Sequence, residues 1–202
     1  MDAFAIIISF CLGIGLAASA GFRIFLPLFV SSIAVHFGAD IFNLSESFAW
    51  VGSPLAMITL GIATFVEILA YYIPWVDNIL DTIAVPLAGI AGTLLMALSL
   101  GDVNSEVIQW GLAIIAGGGT AAAVKGSSAG TRLASTATTG GAGNFVVSTT
   151  ETAASGILGI ISIFLPILAF VLVLVVFYFI YRGFKYMKSV KNKAFQRNVV
   201  KK

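Results

Sequence analysis

The chain is a succession of apolar runs separated by short polar turns, and that pattern leaves few folds open. A membrane span takes about 20 mainly apolar residues. Residues 3–20, 54–72, 79–100, 106–124 and 156–181 meet or approach that length, and 24–37 is apolar but short. Hydrophobic residues make up 59% of the chain and charged ones 10%, against about 25% charged in an ordinary soluble domain. A water-facing surface needs polar cover that this composition cannot supply. A soluble globular enzyme is therefore excluded, as is a disordered or nucleic-acid-binding chain. The expected fold is an all-α polytopic membrane protein with five to seven spans.

The net charge of +2 conceals an asymmetry. Residues 182–202 hold eight of the eleven basic residues, while all nine acidic ones and only Arg23, Lys125 and Arg132 lie before them. Eight Lys/Arg directly after the last span place the C-terminus in the cytoplasm and favour anionic lipid headgroups. We therefore divide the chain into one integral membrane domain, 1–181, and a basic cytoplasmic tail, 182–202. The first run reads as a retained helix, because a signal peptide wants a basic start and Asp2 is acidic. Cys11 and His36 are the only residues of their types, so disulfides, Cys-based metal sites and a Ser-His-Asp triad all lack parts. No cofactor is indicated, and a metal is left open.

Residues 126–155 differ from the other runs. They are mostly Gly, Ala, Ser and Thr rather than the Lys, Glu and Pro usual in disordered linkers, and Arg132 and Glu151 are their only charges. Such backbone suits protein-buried depth in a membrane; a re-entrant segment or broken helix is the expectation, with an external loop as the alternative. A weak internal repeat accompanies it. Ser19-Ala20-Gly21-Phe22-Arg23 and Ser128-Ala129-Gly130-Thr131-Arg132 lie 109 residues apart and contain both arginines of the membrane domain. The halves are roughly 3–100 and 106–181. If 24–37 and the small-residue stretch each dip and return, the halves are inverted and five crossings put the N-terminus outside. If both cross, there are seven spans and the halves are parallel. The poor length of both segments favours the inverted form.

A charge inside a bilayer is costly unless paired or hydrated, which selects the candidate residues. Arg23 and Arg132 each follow Ala-Gly or Gly-x, where open amides beside a guanidinium could cradle an anion. Ser19 and Ser128 could add hydroxyl contacts, Gly21 and Gly130 backbone contacts, and Thr138 and Asn144 lie in the small-residue stretch as further solute-binding candidates. Glu67, deep in residues 54–72, must pair with a base, bind a cation or carry a proton. Asp77 and Asp81 share a helix face at i, i+4; they form a cation or proton site, or a polar helix start with Asp77 as N-cap. Glu151 could bond exposed backbone or a solute. Lys125 and His36 read as interfacial, Pro166 as a kink, and Gly117–Gly119 as a packing surface.

Several of these stretches together resemble a known family. Gly21-Phe22-Arg23-Ile24-Phe25-Leu26-Pro27-Leu28, Val66-Glu67-Ile68-Leu69, Ile73-Pro74-Trp75-Val76-Asp77-Asn78-Ile79-Leu80-Asp81-Thr82-Ile83-Ala84, and residues 129–141 with Gly143-Asn144 are similar to the bacterial membrane family catalogued as domain of unknown function 4126. The resemblance runs to about residue 175, leaves the basic tail outside, and departs at Phe145, where the family has proline. It implies a bacterial inner-membrane location and brings no activity. The function expected from the residues is a small transporter or channel-like protein for an anion or an anionic lipid headgroup. Coupling to a proton or cation would run through Glu67, Asp77 and Asp81, and the chain would act as a homo-oligomer among membrane lipids. Two alternatives stand beside it. One is a non-catalytic membrane scaffold or assembly protein. The other is a magnesium-dependent membrane enzyme on a lipid phosphate, with Asp77 and Asp81 as metal ligands.

Overall fold

The structure, a computed structural model, describes residues 3–38, 46–101 and 105–200; the side chains of Glu46, Pro74, Trp75, Asp77, Asn78, Phe184 and residues 186–200 are not described. All regular structure among the described residues is helical. α1 (Ala3–Phe22) and α2 (Phe25–His36) are followed by a 3-10 helix (Glu46–Gly52), α3 (Pro54–Ala70) and α4 (Pro74–Leu100). α5 (Glu106–Leu112), a π-helical turn (Ala113–Gly118) and α6 (Gly119–Thr139) form one rod, and α7 (Asn144–Phe164) and α8 (Pro166–Val200) complete the order. Five stretches are long and apolar enough to cross a membrane: Ala3–Phe22, Ile79–Leu100, Glu106–Thr139, Asn144–Phe164 and Pro166–Gly183. α2 and α3, at 12 and 17 residues, are shorter.

Polarity runs opposite to that of a soluble bundle. Leu55, Ile58, Ile62, Phe65 and Leu69 on the outer side of α3 are exposed, while serines and charges lie inside. α1 is the central helix and touches α4, α6, α7 and α8. Its small residues permit this, because without a hydrophobic drive between helices in lipid, close backbone approach and packing hold them together. Gly13 lies against Met96 of α4, Gly15 against Ser162 of α7, and Gly21 against Val124 and the Ala121 carbonyl of α6. On α7 a serine recurs every seventh residue, Ser148, Ser155 and Ser162, each fully buried. Ser19 on α1 donates to the Ser155 carbonyl at 2.8 Å, and Ser155 Oγ donates back to the Ser19 carbonyl at 3.0 Å.

α4 and the α5–α6 rod meet through glycine. A Cβ on Gly92 would stand 2.6 Å from the Gly117 carbonyl oxygen, and one on Gly118 2.6 Å from Thr93 Oγ1. The π turn covers this contact, and such turns arise where the regular helix ladder is locally widened. The packing role expected for Gly117–Gly119 therefore holds for Gly117 and Gly118, whereas Gly119 faces open space.

Several sequence boundaries need correction. The run expected to end at residue 124 continues as helix to Thr139 and closes at Gly140, whose φ of +63° is a left-handed cap that suits glycine. Residues 126–155 are thus two helical halves joined by a turn at residues 140–143. The Ser and Thr hydroxyls bond to carbonyls of the preceding turn, as in Thr131 and Thr138, so they are satisfied within the helix. Pro166 does not kink a single helix: α7 ends at Phe164, Leu165 is non-helical, and Pro166 opens α8 as its first residue. The chain reverses there, since Ala169 returns to Gly15 and Val176 and Ile180 to Phe22 and Val147. α4 begins at Pro74 with Ile73 as N-cap, so Asp77 lies within its first turn and is not the cap. Pro86 sits inside a continuous helix.

The glycine contact generates a test. Gly92→Val forces a branched side chain onto backbone and should destabilise the protein by ~1–3 kcal/mol, read as a lower midpoint of thermal unfolding in detergent. Gly126→Ala, where nothing lies within 4 Å, should leave the midpoint unchanged or raise it.

Candidate functional site: a tyrosine ring shared by three cations

Arg23, Lys125 and Arg132, the only basic residues before position 182, converge on one aromatic ring. The guanidinium carbons of Arg23 and Arg132 lie 4.1 and 4.5 Å from the centroid of Tyr71, and Lys125 Nζ lies 4.6 Å from it. Arg23 and Lys125 are 0% exposed and Arg132 is 2% exposed. Each such contact contributes about 0.5–2 kcal/mol. Lys125 also donates to the Tyr71 hydroxyl at 2.9 Å.

Besides Asp81 of α4, four parts of the fold bring these groups together, each by a short local pattern. On α6, Lys125, Ser128 and Arg132 recur at i, i+3 and i+7 and share one face. On α7, Ser148, Glu151, Thr152 and Ser155 do the same. Glu67 and Tyr71 are four apart at the C-terminal end of α3, with Tyr71 as its C-cap. Arg23 occupies the break between α1 and α2. Pro27 in the first turn of α2 has no N–H to return to the Arg23 carbonyl, and the Ile24 and Phe25 amides turn to Glu67 instead of to α1, so the helix breaks here.

Three carboxylates face the cations. Glu151 bridges the two arginines: it accepts from Arg132 Nη2 and from Ser128 Oγ, lies 3.4 Å from Arg132 Nε, and its Oε2 is 3.8 Å from Arg23 Nη2. Asp81, at the start of α4, is 4.0 Å from Arg132 Nε. Glu67 takes a different role from the side-chain pairing considered for it. Its two oxygens accept from the backbone amides of Ile24 at 2.7 Å and Phe25 at 2.9 Å. Those are free amides of the α2 N-terminus, where negative charge is favoured. Arg23 is further held by Thr152 Oγ1 at 2.9 Å and by the Ser148 carbonyl and hydroxyl at 2.9 and 2.5 Å, while its Nη1 is buried without a hydrogen-bond partner.

The expected site residues divide accordingly. Arg23, Arg132, Ser128, Glu67 and Asp81 come together. The Asp77 side chain lies outside the described residues. Ser19 is one turn below Arg23 and braces α1 to α7. Gly21 and Gly130 lie inside helices, so the open-amide cradle expected around them does not form; Gly21 is a packing contact and Gly130 faces open space. Thr138 and Asn144 lie at the α6–α7 turn, where Asn144 Nδ2 donates to Thr136 Oγ1 at 3.0 Å. Sequence reading missed Tyr71 as the centre and took Lys125 as interfacial. The i, i+3, i+7 polar face around Lys125 was the available signal, hidden by ending the helix at residue 124. Among the described residues, no group of three His, Cys, Asp or Glu is placed to hold a metal ion.

Two spaces adjoin the cluster. A cleft of about 290 Å³ lies between α6, α7 and α8, and Ser128 and Glu151 form part of its wall. A smaller one, about 230 Å³, is lined by Asp81, Thr82, Ala129, Arg132, Leu133 and Thr136. Glu151 thus faces a cleft on one side and two guanidiniums on the other.

A bundle of apolar helices around a buried, charge-balanced cluster defines a helical membrane protein. The family model described as Domain of unknown function (DUF4126) matches residues 10–185, and the chain belongs to that family. No curated protein and no solved structure matches it.

The ring is open to direct test. Tyr71→Phe keeps the aromatic face and removes the Lys125 partner, and should cost ~1–3 kcal/mol. Tyr71→Leu removes the face as well and should lower the unfolding midpoint further; equal midpoints for the two would mean that the ring face contributes nothing.

Proposed function

We propose that the protein binds and moves an anionic solute group, coupled to a proton, through the Tyr71-centred cluster. One observation carries the reading: Glu151 is a carboxylate held between two buried arginines and also forms the wall of an open cleft. A carboxylate in that position occupies the place an incoming anion would take. Protonation of Glu151 weakens its hold on Arg23 and Arg132 and leaves two guanidiniums facing the cleft, and intramembrane carboxylates commonly serve as such proton relays. Arg23 already carries one buried donor without a partner. Bidentate guanidinium geometry suits phosphate and carboxylate groups. Asp81 and Glu67 complete the charge balance, and Glu67 ties the α2–α3 pair to the cluster.

On this reading the protein sits in a bacterial inner membrane with its C-terminus in the cytoplasm, since the C-terminal part of α8 carries the basic run. Phe22, Glu151 and Ile180 line the same cleft, so the cluster lies toward the end of the bundle from which the tail departs. α2 and α3 then dip from that side as a short re-entrant pair, leaving five crossings and the N-terminus outside. α1 and α6 both reach the ring with their C-terminal portions, which supports a repeat whose halves run in the same direction over an inverted one. A homo-oligomer would supply the enclosure that one small chain lacks.

The scaffold reading retains one specific support: three cations meet three carboxylates, as structural pairs would. Flux separates the two. In liposomes, movement of inorganic phosphate or of a fluorescent anionic phospholipid between leaflets should respond to an imposed proton gradient. Arg23→Gln and Arg132→Gln should each lower it about tenfold or more, as loss of a charge-assisted bond of ~1.5–3 kcal/mol implies. Glu151→Gln should retain movement but lose its response to the gradient. Movement of both probes that is indifferent to both arginines would favour the scaffold.

A further inference from the structure

The cleft beside Glu151 is amphipathic in a particular way. α6 gives it Val124, Ser127, Ser128 and Thr131, at i, i+3, i+4 and i+7, which sets three hydroxyl-bearing side chains into a lining that is otherwise mainly apolar. α7 gives Val147, Thr150, Glu151 and Ala154 at the same spacing. The opposing wall, Val176 and Ile180 of α8 with Phe22 of α1, is wholly apolar. Thr131, Val146 and Thr150 are exposed, so the cleft opens on the outer face of the bundle. That face is surrounded by the apolar surfaces of α7 and α8, with Ile157, Ile160, Val175 and Phe179 exposed. α6 makes few contacts with α7 and α8 compared with its packing on α1 and α4, which is why the gap exists.

An inorganic anion arriving from water has no use for the apolar wall. A hydrocarbon chain alone has no use for the hydroxyls, Glu151 and the arginines behind it. Charge complementarity selects an occupant that has both parts. Two residues beyond Ile180 the basic run begins with Arg182, followed by Lys185, and basic residues beside a membrane gather anionic lipid.

We infer that the solute is an anionic membrane lipid, taken sideways from the bilayer into this cleft. The inference rests on the anion-binding reading above and narrows it to one class of substrate. The acyl chain lies along Val176, Ile180 and Phe22. The headgroup meets Ser127, Ser128, Thr131 and Thr150, and its phosphate replaces the Glu151 carboxylate at Arg23 and Arg132. Glu151 takes up one proton as the phosphate arrives and releases it when the phosphate leaves, so charge within the cluster is conserved.

The test uses the full chain in neutral detergent with two probes, radiolabelled phosphatidylglycerol, which is net anionic, and its zwitterionic, net-neutral counterpart phosphatidylcholine, whose quaternary ammonium would meet the arginines, counting lipid retained after gel filtration. Phosphatidylglycerol should be retained about tenfold over phosphatidylcholine. Ala154→Trp and Thr150→Trp, which fill the cleft, should lower that retention about tenfold, as should Arg132→Gln. If a Trp variant is not monodisperse, Thr150→Leu at the exposed edge takes its place with the same expected direction. Equal retention of the two lipids, or retention indifferent to cleft filling, overturns the inference. If in that case arginine-dependent phosphate flux persists, the anion reading survives and only the lipid is wrong. If neither probe depends on the arginines, both fall.

Discussion

Placing three positive charges against one tyrosine ring inside an apolar bundle would be prohibitive without compensation, and the rest of the structure is arranged around supplying it. Taking an ion out of water costs several kcal/mol even after relaxation. Here the compensation has three sources. The ring face attracts all three cations. Glu151 and Asp81 lie within ion-pair distance. Hydroxyls and a carbonyl of α7 satisfy most of the remaining Arg23 donors. The contributors come from α1, α3, α4, α6 and α7, so the cluster exists only when those helices have docked. It is a product of the fold and also a condition for it, since a half-assembled version would leave unpaired charge in a dry interior.

Docking that close depends on small side chains. α1 approaches α4, α6 and α7 through Gly13, Gly21 and Gly15, and α4 approaches the π turn through Gly92 and Gly117. The serines at 148, 155 and 162 serve both demands. They are small enough for α1 to approach, and Ser148 and Ser155 bond across to Arg23 and Ser19. The polarity of this interior is what distinguishes it from a soluble core. In a lipid surround, apolar surface is no reason for two helices to associate, whereas hydrogen bonds and close contact are.

Much of this was legible in the sequence, and the failures have physical causes. The helical class followed from length and composition, as did the membrane-length runs that begin at 3, 79 and 106; the run 54–72 is a shorter helix, and 156–181 belongs to two helices that meet at Leu165. Arg23, Arg132 and Glu67 were selected because a bilayer makes any charge informative, and they do meet. The small-residue stretch was expected as a re-entrant segment or broken helix; it is two helices joined by a turn, and what went unseen is that the helix before it runs on to Thr139. Alanine is the best helix former, and the Ser and Thr hydroxyls that might have competed with the helix bond back to carbonyls of the preceding turn instead. Once that segment is helical, Lys125, Ser128 and Arg132 fall on one face and Lys125 moves from interface to core. Tyr71 could not be found from its neighbours, since an aromatic residue near a turn is the usual mark of a membrane interface. Its role depends on contacts from residues 48 to 61 positions away in the chain, on which local pattern has no purchase.

Glu67 and Glu151 show how two carboxylates of one type acquire different capacities in one cluster. Glu67 has both oxygens on backbone amides of α2. Its removal would free a helix end, and that end cannot rearrange without moving α2 itself. Glu151 has its oxygens on side chains, Ser128 and Arg132, with Arg23 just beyond. Side chains can exchange partners at the cost of a rotamer, and the cleft gives Glu151 somewhere to turn. The first arrangement suits a fixed anchor and the second an exchangeable ligand. If the cluster has a moving part, the partners of its carboxylates place it at Glu151.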